Sequence, residues 1–276
     1  MSAVAQPVPS TRWRPTPTIA GTFGLHGAAV LAIFLGPEEW TWWVAACIAG
    51  NHLVLTAIGL WPRSTLLGPN FNRLPGLAVA RGEIAFTFDD GPDPEVTPKV
   101  LDLLDAHGTR ATFFCIAENA ARHPELCREI ARRGHMVENH SSEHQVTFAM
   151  LGFGGIRKEI SAAQQTLEGL TGKAPRFFRA PAGLRNPLLD PVLHDLGLRL
   201  VSWTRRGFDT REHDAGRVAA RLLRDLGPGD ILLLHDGHSD RTSTGVPVVL
   251  DVLPRLLAAA RHQGLRPVTL AQAIDP

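Results

Sequence analysis

The sequence predicts an α/β chain, a distorted, nearly closed (β/α)7–8 barrel preceded by a two-helix transmembrane hairpin. Three observations carry that prediction. From Glu83 onward, strand-like apolar runs alternate with helical patterns seven times, as in parallel, right-handed α/β architectures. Polar and titratable residues collect just after the strands, where barrels of this class keep their chemistry. Before Glu83 lie two long uncharged segments, and five of the six tryptophans fall within the first 61 residues.

Residues 1–17 are rich in Pro, Ser and Thr and carry Arg12 and Arg14, the composition of a disordered basic tail. Thr18–Gly36 then runs 19 residues without a charge, and Trp40–Trp61 runs 22 more. At about 1.5 Å per residue each crosses a hydrocarbon core of about 30 Å. Only Pro37, Glu38 and Glu39 separate them, so residues 18–61 form a helical hairpin. Trp40, Trp42 and Trp43 belong at one interface and Trp13 and Trp61 near the other. His26 and Asn51 lie at similar depth, which predicts a hydrogen bond between the helices; the alternative is a functional intramembrane site that also takes in His52. Arg12 and Arg14 precede the hairpin, Arg63, Arg73 and Arg81 follow it, and its turn has no Lys or Arg. The positive-inside rule therefore puts the domain that follows on the cytoplasmic side of a bacterial-type inner (plasma) membrane.

Residues 62–82 read as a linker, and 83–276 as one domain. Its strands are predicted near 84–89, 110–116, 135–139, 176–180, 198–203, 230–235 and 266–269. Helices are predicted near 95–107, 123–133, 155–171, 187–196, 215–226 and 245–263. A net charge of +1 gives no electrostatic argument for nucleic acid. Cys47, Cys115 and Cys127 have no metal-type spacing and read as reduced thiols.

The first strand, IAFTFDDGP from Ile84 to Pro92, ends in Asp89 and Asp90. Adjacent buried carboxylates are costly unless they hold a metal or share a proton. The third strand runs into NHSSEH, with His140 and His144 four residues apart, a spacing at which one helical turn would align both imidazoles. With Asp90 they form a three-ligand site with open positions, suited to zinc first and also to cobalt, nickel or iron. The fourth strand leads to RAPAG, with Arg179; Trp203 and Asp209 follow the fifth, and LLLH ends the sixth at His235.

TFDDGP, NHSSEH, RAPAG and the late LLLH, in this order, resemble the polysaccharide deacetylase family, the NodB-like family-4 carbohydrate esterases, over about Ile84–Leu270. The resemblance implies a metal-dependent hydrolase that removes N-acyl groups from amino sugars. It implies Asp90, His140 and His144 as metal ligands, Asp89 as general base, Arg179 as the residue orienting that base, and His235 as general acid. Trp203 and Asp209 match the fourth motif, whose acid supports the catalytic histidine. Ala182 stands where the family often has an aromatic residue, its backbone N–H still available to an oxyanion. Thr210 stands where a second tryptophan is usual, and Arg205 and Arg206 beside the site would suit an anionic substrate. His238 and Asp236 read as rim residues without a role.

With a membrane hairpin and a cytoplasmic domain, the expected substrate is an acetylated or formylated amino sugar on a lipid-linked or membrane-associated glycan. The alternative is an extracytoplasmic peptidoglycan or exopolysaccharide deacetylase. A non-haem iron oxygenase also uses two histidines and a carboxylate, but needs neither Asp89 nor His235. A non-catalytic sugar-binding module would be expected to lack one of Asp89, Asp90, His140, His144 or His235, and all five are present.

Overall fold

The computed structural model describes residues 12–275. Most of the predicted basic tail, residues 1–11, lies outside the described residues. Two helices open the chain, α1 (Pro17–Leu35), capped by Thr16 Oγ1 on the N–H of Ile19, and α2 (Trp40–Gly59). Both are long and apolar enough to cross a membrane, and little of either is covered by the rest of the protein, unlike the core helix of a soluble domain. The predicted His26–Asn51 bond is not formed. Thr22 Oγ1 donates to Asn51 Oδ1 at 3.2 Å instead, while His26 Nδ1 lies 2.8 Å from the Thr22 carbonyl and its ring packs edge-on against His52. Trp13 also differs from expectation: its indole N–H donates to Asp190 Oδ2 at 2.8 Å, and its ring packs on Ile19, Leu55 and Leu67.

All seven predicted strands form: β1 (Glu83–Asp89), β2 (Thr112–Cys115), β3 (Met136–Asn139), β4 (Phe177–Phe178), β5 (Arg199–Leu200), β7 (Ile231–His235) and β8 (Arg266–Pro267). An eighth, β6 (Arg205–Arg206), was not predicted. All pair in parallel in the order β5-β4-β3-β2-β1-β7-β6, and β8 joins the start of β1. Helices α4 (Thr97–Ala106), α6 (Pro124–Arg132), α7 (Phe153–Thr171), α8 (Leu189–Asp195), α9 (Ala215–Leu223) and α10 (Val248–His262) match the predicted six. Three short ones, α3 (Gly76–Ala80), α5 (Ala117–Arg122) and α11 (Leu270–Ile274), were not predicted.

The period of two in β1 sorts its side chains. Ile84, Phe86 and Phe88 join the layer under α4, α9 and α10, whereas Ala85 packs in the barrel interior. Thr87 and Asp89 fall on the same inward side. Leu270 and Ala273 of α11 and Ala78 of α3 share that interior cluster, so these two helices plug the bottom of the barrel. The top is left for polar groups.

Residues 62–82, predicted as a linker, instead fill the seam between β5 and β6. Phe71 forms a parallel bridge with Val201, its N–H donating to Leu200 O at 2.9 Å and its carbonyl accepting from Ser202 at 2.8 Å. Thr204 Oγ1 donates to Asn72 O at 2.7 Å. An open half-barrel sheet is thereby sealed by the chain that leads into it.

Candidate active site

Register places the site. In the pairing of β1 with β7, Asp89 is opposite His235, so the two candidate proton-transfer residues stand on adjacent strands about 4.8 Å apart. Asp89 Oδ1 accepts from Arg179 Nη1 at 2.6 Å. Arg179 is 1% exposed, and its other bonds go to Thr87 Oγ1 and to the carbonyls of Val201 and Ser202, with the guanidinium 4.1 Å from the Phe114 ring centroid. Every nitrogen of that buried cation thus has a partner, which is what such burial demands. Asp89 Oδ2 remains free and lies 3.8 Å from His140 Nε2.

Asp90 turns the other way, into a left-handed conformation at φ 73°. Its Oδ1 is 3.2 Å from His140 Nε2 and 3.3 Å from His144 Nε2, and it is buried without a hydrogen-bond partner among the described residues. Two ligand atoms held at about 2.1 Å in a tetrahedral divalent site lie about 3.4 Å apart, so the spacing and the unpartnered oxygen fit a metal ion. His140 Nδ1 lies 2.8 Å from the Arg179 carbonyl, which fixes the tautomer and turns the Nε2 lone pair to Asp90. Burial and the neighbouring His140 push His144 down to about 4, so its ring is neutral at neutral pH, as a ligand must be. Burial alone would raise Asp90; the imidazoles of His140 and His238 close beside it outweigh burial and hold the carboxyl well below its ordinary value.

The predicted helical turn between His140 and His144 is absent. A loop does the work, with Ser141 at φ 67° and His144 at φ 53°, the N–H of His144 donating to Ser141 Oγ at 3.0 Å. A regular helix keeps both imidazoles on one face but cannot also bend them onto a strand end. Of the seven non-glycine residues with positive φ among the described residues, Asp90, His144, Ala182 and His238 all line the cleft. Backbone strain concentrates where side chains must be aimed.

On the opposite wall, His235 Nδ1 is 2.8 Å from Asp209 Oδ1, and its backbone N–H donates to Asp209 Oδ2 at 2.8 Å. Burial opposes a charged ring, but the charge and hydrogen bond of Asp209 outweigh it and raise His235 to about 9. The cleft between these walls has a volume of about 310 Å³ and is lined further by Gly183, Trp203, Arg206, Thr210, Arg211 and Leu233.

The comparisons with known proteins converge on one family. A family model described as polysaccharide deacetylase matches residues 78–201. A peptidoglycan-N-acetylglucosamine deacetylase of Bacillus cereus is 33% identical over 192 residues, covering 69% of this chain and 67% of the relative. The chain belongs to the polysaccharide deacetylase family. A chitooligosaccharide deacetylase of Azorhizobium caulinodans is 38% identical over 161 residues, covering 57% of this chain and 75% of its own. Among solved structures, a peptidoglycan N-acetylglucosamine deacetylase superposes with a TM-score of 0.67 at 29% identity, covering 74% of this chain and 92% of that one. A family-4 carbohydrate esterase from Streptomyces lividans in complex with acetate gives 0.61 at 33% identity, over 67% and 91%. This polysaccharide deacetylase is thus an amide hydrolase acting on carbon–nitrogen bonds, with a half-barrel NodB-like fold.

Most predicted site residues of the deacetylase come together: Asp89, Asp90, His140, His144, Arg179, Trp203, Arg206, Asp209 and His235, with Ala182 on the rim. Arg205 does not. It pairs with Asp230 and donates to the carbonyls of Arg224 and Asp225, because consecutive residues of β6 point to opposite faces. Arg206 faces the cleft, 5.3 Å from the Trp203 ring and 5.0 Å from the Phe208 ring. His238, read as roleless, lines the cleft with Nδ1 3.4 Å from Asp90 Oδ2. Asp236, by contrast with the exposed His238, is no rim residue: it is fully buried and accepts from Thr97 Oγ1 at 2.5 Å. A Cβ on Gly91 would come within 2.2 Å of its carboxylate, so glycine lets the Asp90 turn close over it. Asn119 of α5 donates to the Asp90 carbonyl at 2.9 Å. An apolar run or a polar triplet signals none of these, since each is set by how loops meet.

Proposed function

We propose that this deacetylase is a zinc enzyme anchored by α1 and α2, and that it hydrolyses the N-acyl group, acetyl or formyl, of an amino sugar carried on a membrane lipid. The observation that carries the lipid-linked reading is the contact between the catalytic rim and the end of the hairpin. The Gly59 carbonyl accepts from the Arg185 N–H at 3.2 Å, the Pro62 carbonyl from Ser202 Oγ at 2.6 Å, and Arg63 Nη1 donates to Thr204 O at 3.3 Å. Residues 183–185 and 202–204 flank the cleft itself, so the cleft opens beside the membrane-facing end of the domain.

The roles follow from the geometry. Asp90, His140 and His144 would hold the metal, which when bound polarises the amide carbonyl and acidifies water. Arg179 occupies one oxygen of Asp89 and leaves Oδ2 free to accept a proton from the attacking water. His235, kept protonated by Asp209, delivers a proton to the nitrogen, which is a poor leaving group as an anion. Trp203 and Arg206 form the wall for the sugar and any anionic substituent, and the Ala182 N–H is a donor for the developing oxyanion.

A second reading has its own support. The named relatives include peptidoglycan deacetylases, and two of the arginines behind a cytoplasmic orientation are engaged within the domain, Arg73 with Asp230 and Arg81 with Glu83. Reporters active on one side of the membrane, fused after Pro276, separate the two. A cytoplasmic signal together with acetate or formate release from acylated lipid-linked amino sugars supports the first; an extracytoplasmic signal with release only from wall polymer or exopolysaccharide replaces it with the second.

A further inference from the structure

A concavity larger than the catalytic cleft lies against the hairpin. A groove of about 800 Å³ runs between α1 and α2 on one side and the loops at 146–150 and 184–188 on the other. That volume lies within the range of pockets that enclose a small ligand. Its walls are mainly apolar, including Phe23, Leu55, Leu60 and Leu184. Val146 and Met150, also in the lining, are 97% and 83% exposed, an arrangement that aqueous loops avoid and that a hydrocarbon occupant would cover.

One end of the groove is polar. Arg185 lines it, is 4% exposed, and makes no ion pair among the described residues. It donates to the Ser64 carbonyl, while its Nε has no partner among the described residues. Burial lowers this guanidinium to about 10, against the opposing charge of Asp190, whose carboxylate is already bonded to Trp13. A buried cation without a counter-ion is costly, and an incoming anion removes that cost.

Groove and cleft share their loops. Ala182 and Gly183 line the cleft, and Leu184 and Arg185 line the groove. Three residues of chain reach at most about 11 Å, so the backbone of Arg185 lies within that distance of Ala182 at the cleft wall. On the other side His144 lines the cleft, and Val146, two residues on, lines the groove. The wall formed by α1 and α2 carries no Asp, Glu, Lys or Arg from Thr18 to Gly36 or from Trp40 to Trp61. Thr22, His26, His52 and Thr56 are the polar members of that wall, while Phe23, Leu55, Leu60, Val146 and Met150 offer an occupant an apolar face, and a guanidinium fork is well matched to a phosphate.

We infer that the groove holds the hydrocarbon chain of a single-chain lipid monophosphate, with the phosphate at Arg185 and the attached amino sugar in the cleft. The inference rests on the lipid-linked reading above and names where the lipid binds. Thr56 is exposed and lines the groove without packing in the domain, so Thr56→Trp would obstruct it with little risk to folding; Arg185→Met removes the cation.

The test is equilibrium binding of radiolabelled geranylgeranyl monophosphate to the full chain in detergent, with zinc stoichiometry as the check on folding of each variant. Saturable binding is expected, weakened about tenfold or more by Thr56→Trp, by Arg185→Met, and by replacing the phosphate with the free alcohol. Phe34→Trp, at the far end of α1, should bind like the parent. Binding that ignores Thr56→Trp, or that does not distinguish phosphate from alcohol, overturns the proposal and describes a surface bathed in bulk lipid. Groove-dependent binding supports it even if lipid-linked amino sugars are not deacylated, a result that would remove the substrate reading and leave the lipid site.

Discussion

Two histidine–aspartate pairs face each other across the cleft and are built for opposite ends. His140 directs Nε2 toward Asp90 and gives Nδ1 to a backbone carbonyl. His235 gives Nδ1 to the Asp209 carboxylate and leaves Nε2 for the cleft. A carbonyl on the far nitrogen fixes a tautomer and keeps a lone pair available; a carboxylate there adds a full charge and favours the imidazolium. The same side chain is thereby suited to the metal-holding role proposed for one wall and to the proton-donating role proposed for the other. The difference lies in the group behind the ring, not in the ring.

The strongest way to break that comparison is to delete each histidine and ask which function goes. His140→Ala should lose metal and turnover together, read by metal analysis of the purified protein and by acetate release. His235→Ala should keep its metal and lose about 10²–10⁴ of turnover, the usual worth of a general acid. Metal loss in the second variant would merge the two walls into one site and remove the distinction.

A finer test changes the group behind the ring. Because His235 is raised to about 9, its protonated form is present below that pH and is lost above it, so turnover should fall as pH rises through about 9. Asp209→Asn removes the charge that outweighs burial and should move this alkaline limb down by about 1–3 units, leaving metal content intact. A limb that stays in place in the variant would assign it to another group.

How much of this was legible depends on the length of each signal. β1 and β7 are runs of buried apolar residues ending in titratable ones, and their parallel register puts Asp89 beside His235. β6 is two arginines, recognisable as strand only through its bonds to β7, and its alternation sends Arg205 to Asp230 and Arg206 to the cleft. The stretch at 62–82 looked like a linker because its contacts with Val201, Ser202 and Gly229 are all distant in sequence. The four-residue spacing singles out His140 and His144, which the structure brings together, but a strained loop, not a helix, aligns them. Long apolar patterns report strands; loop against loop is tertiary information.

His238 supplies the smallest and most discriminating effect. Its loop adopts φ 56° at that residue and brings Nδ1 to 3.4 Å from Asp90 Oδ2, the oxygen turned away from His140 and His144. The hydrogen bond to Asp90 is also the first cause of the raised His238 proton affinity. A partner on Oδ2 orients the carboxylate so that Oδ1 points at the two imidazoles, which is the work of an outer-shell group around a metal ligand. His238→Ala should therefore weaken metal binding about tenfold, within the range seen for such groups. Turnover of the fully loaded enzyme and its alkaline limb near 9 should change little, since neither Asp209 nor His235 is touched. Competition with a chelator measures the first and a pH profile at saturating metal the second. A shifted limb with unchanged affinity would move His238 from the metal wall to the proton-donating one.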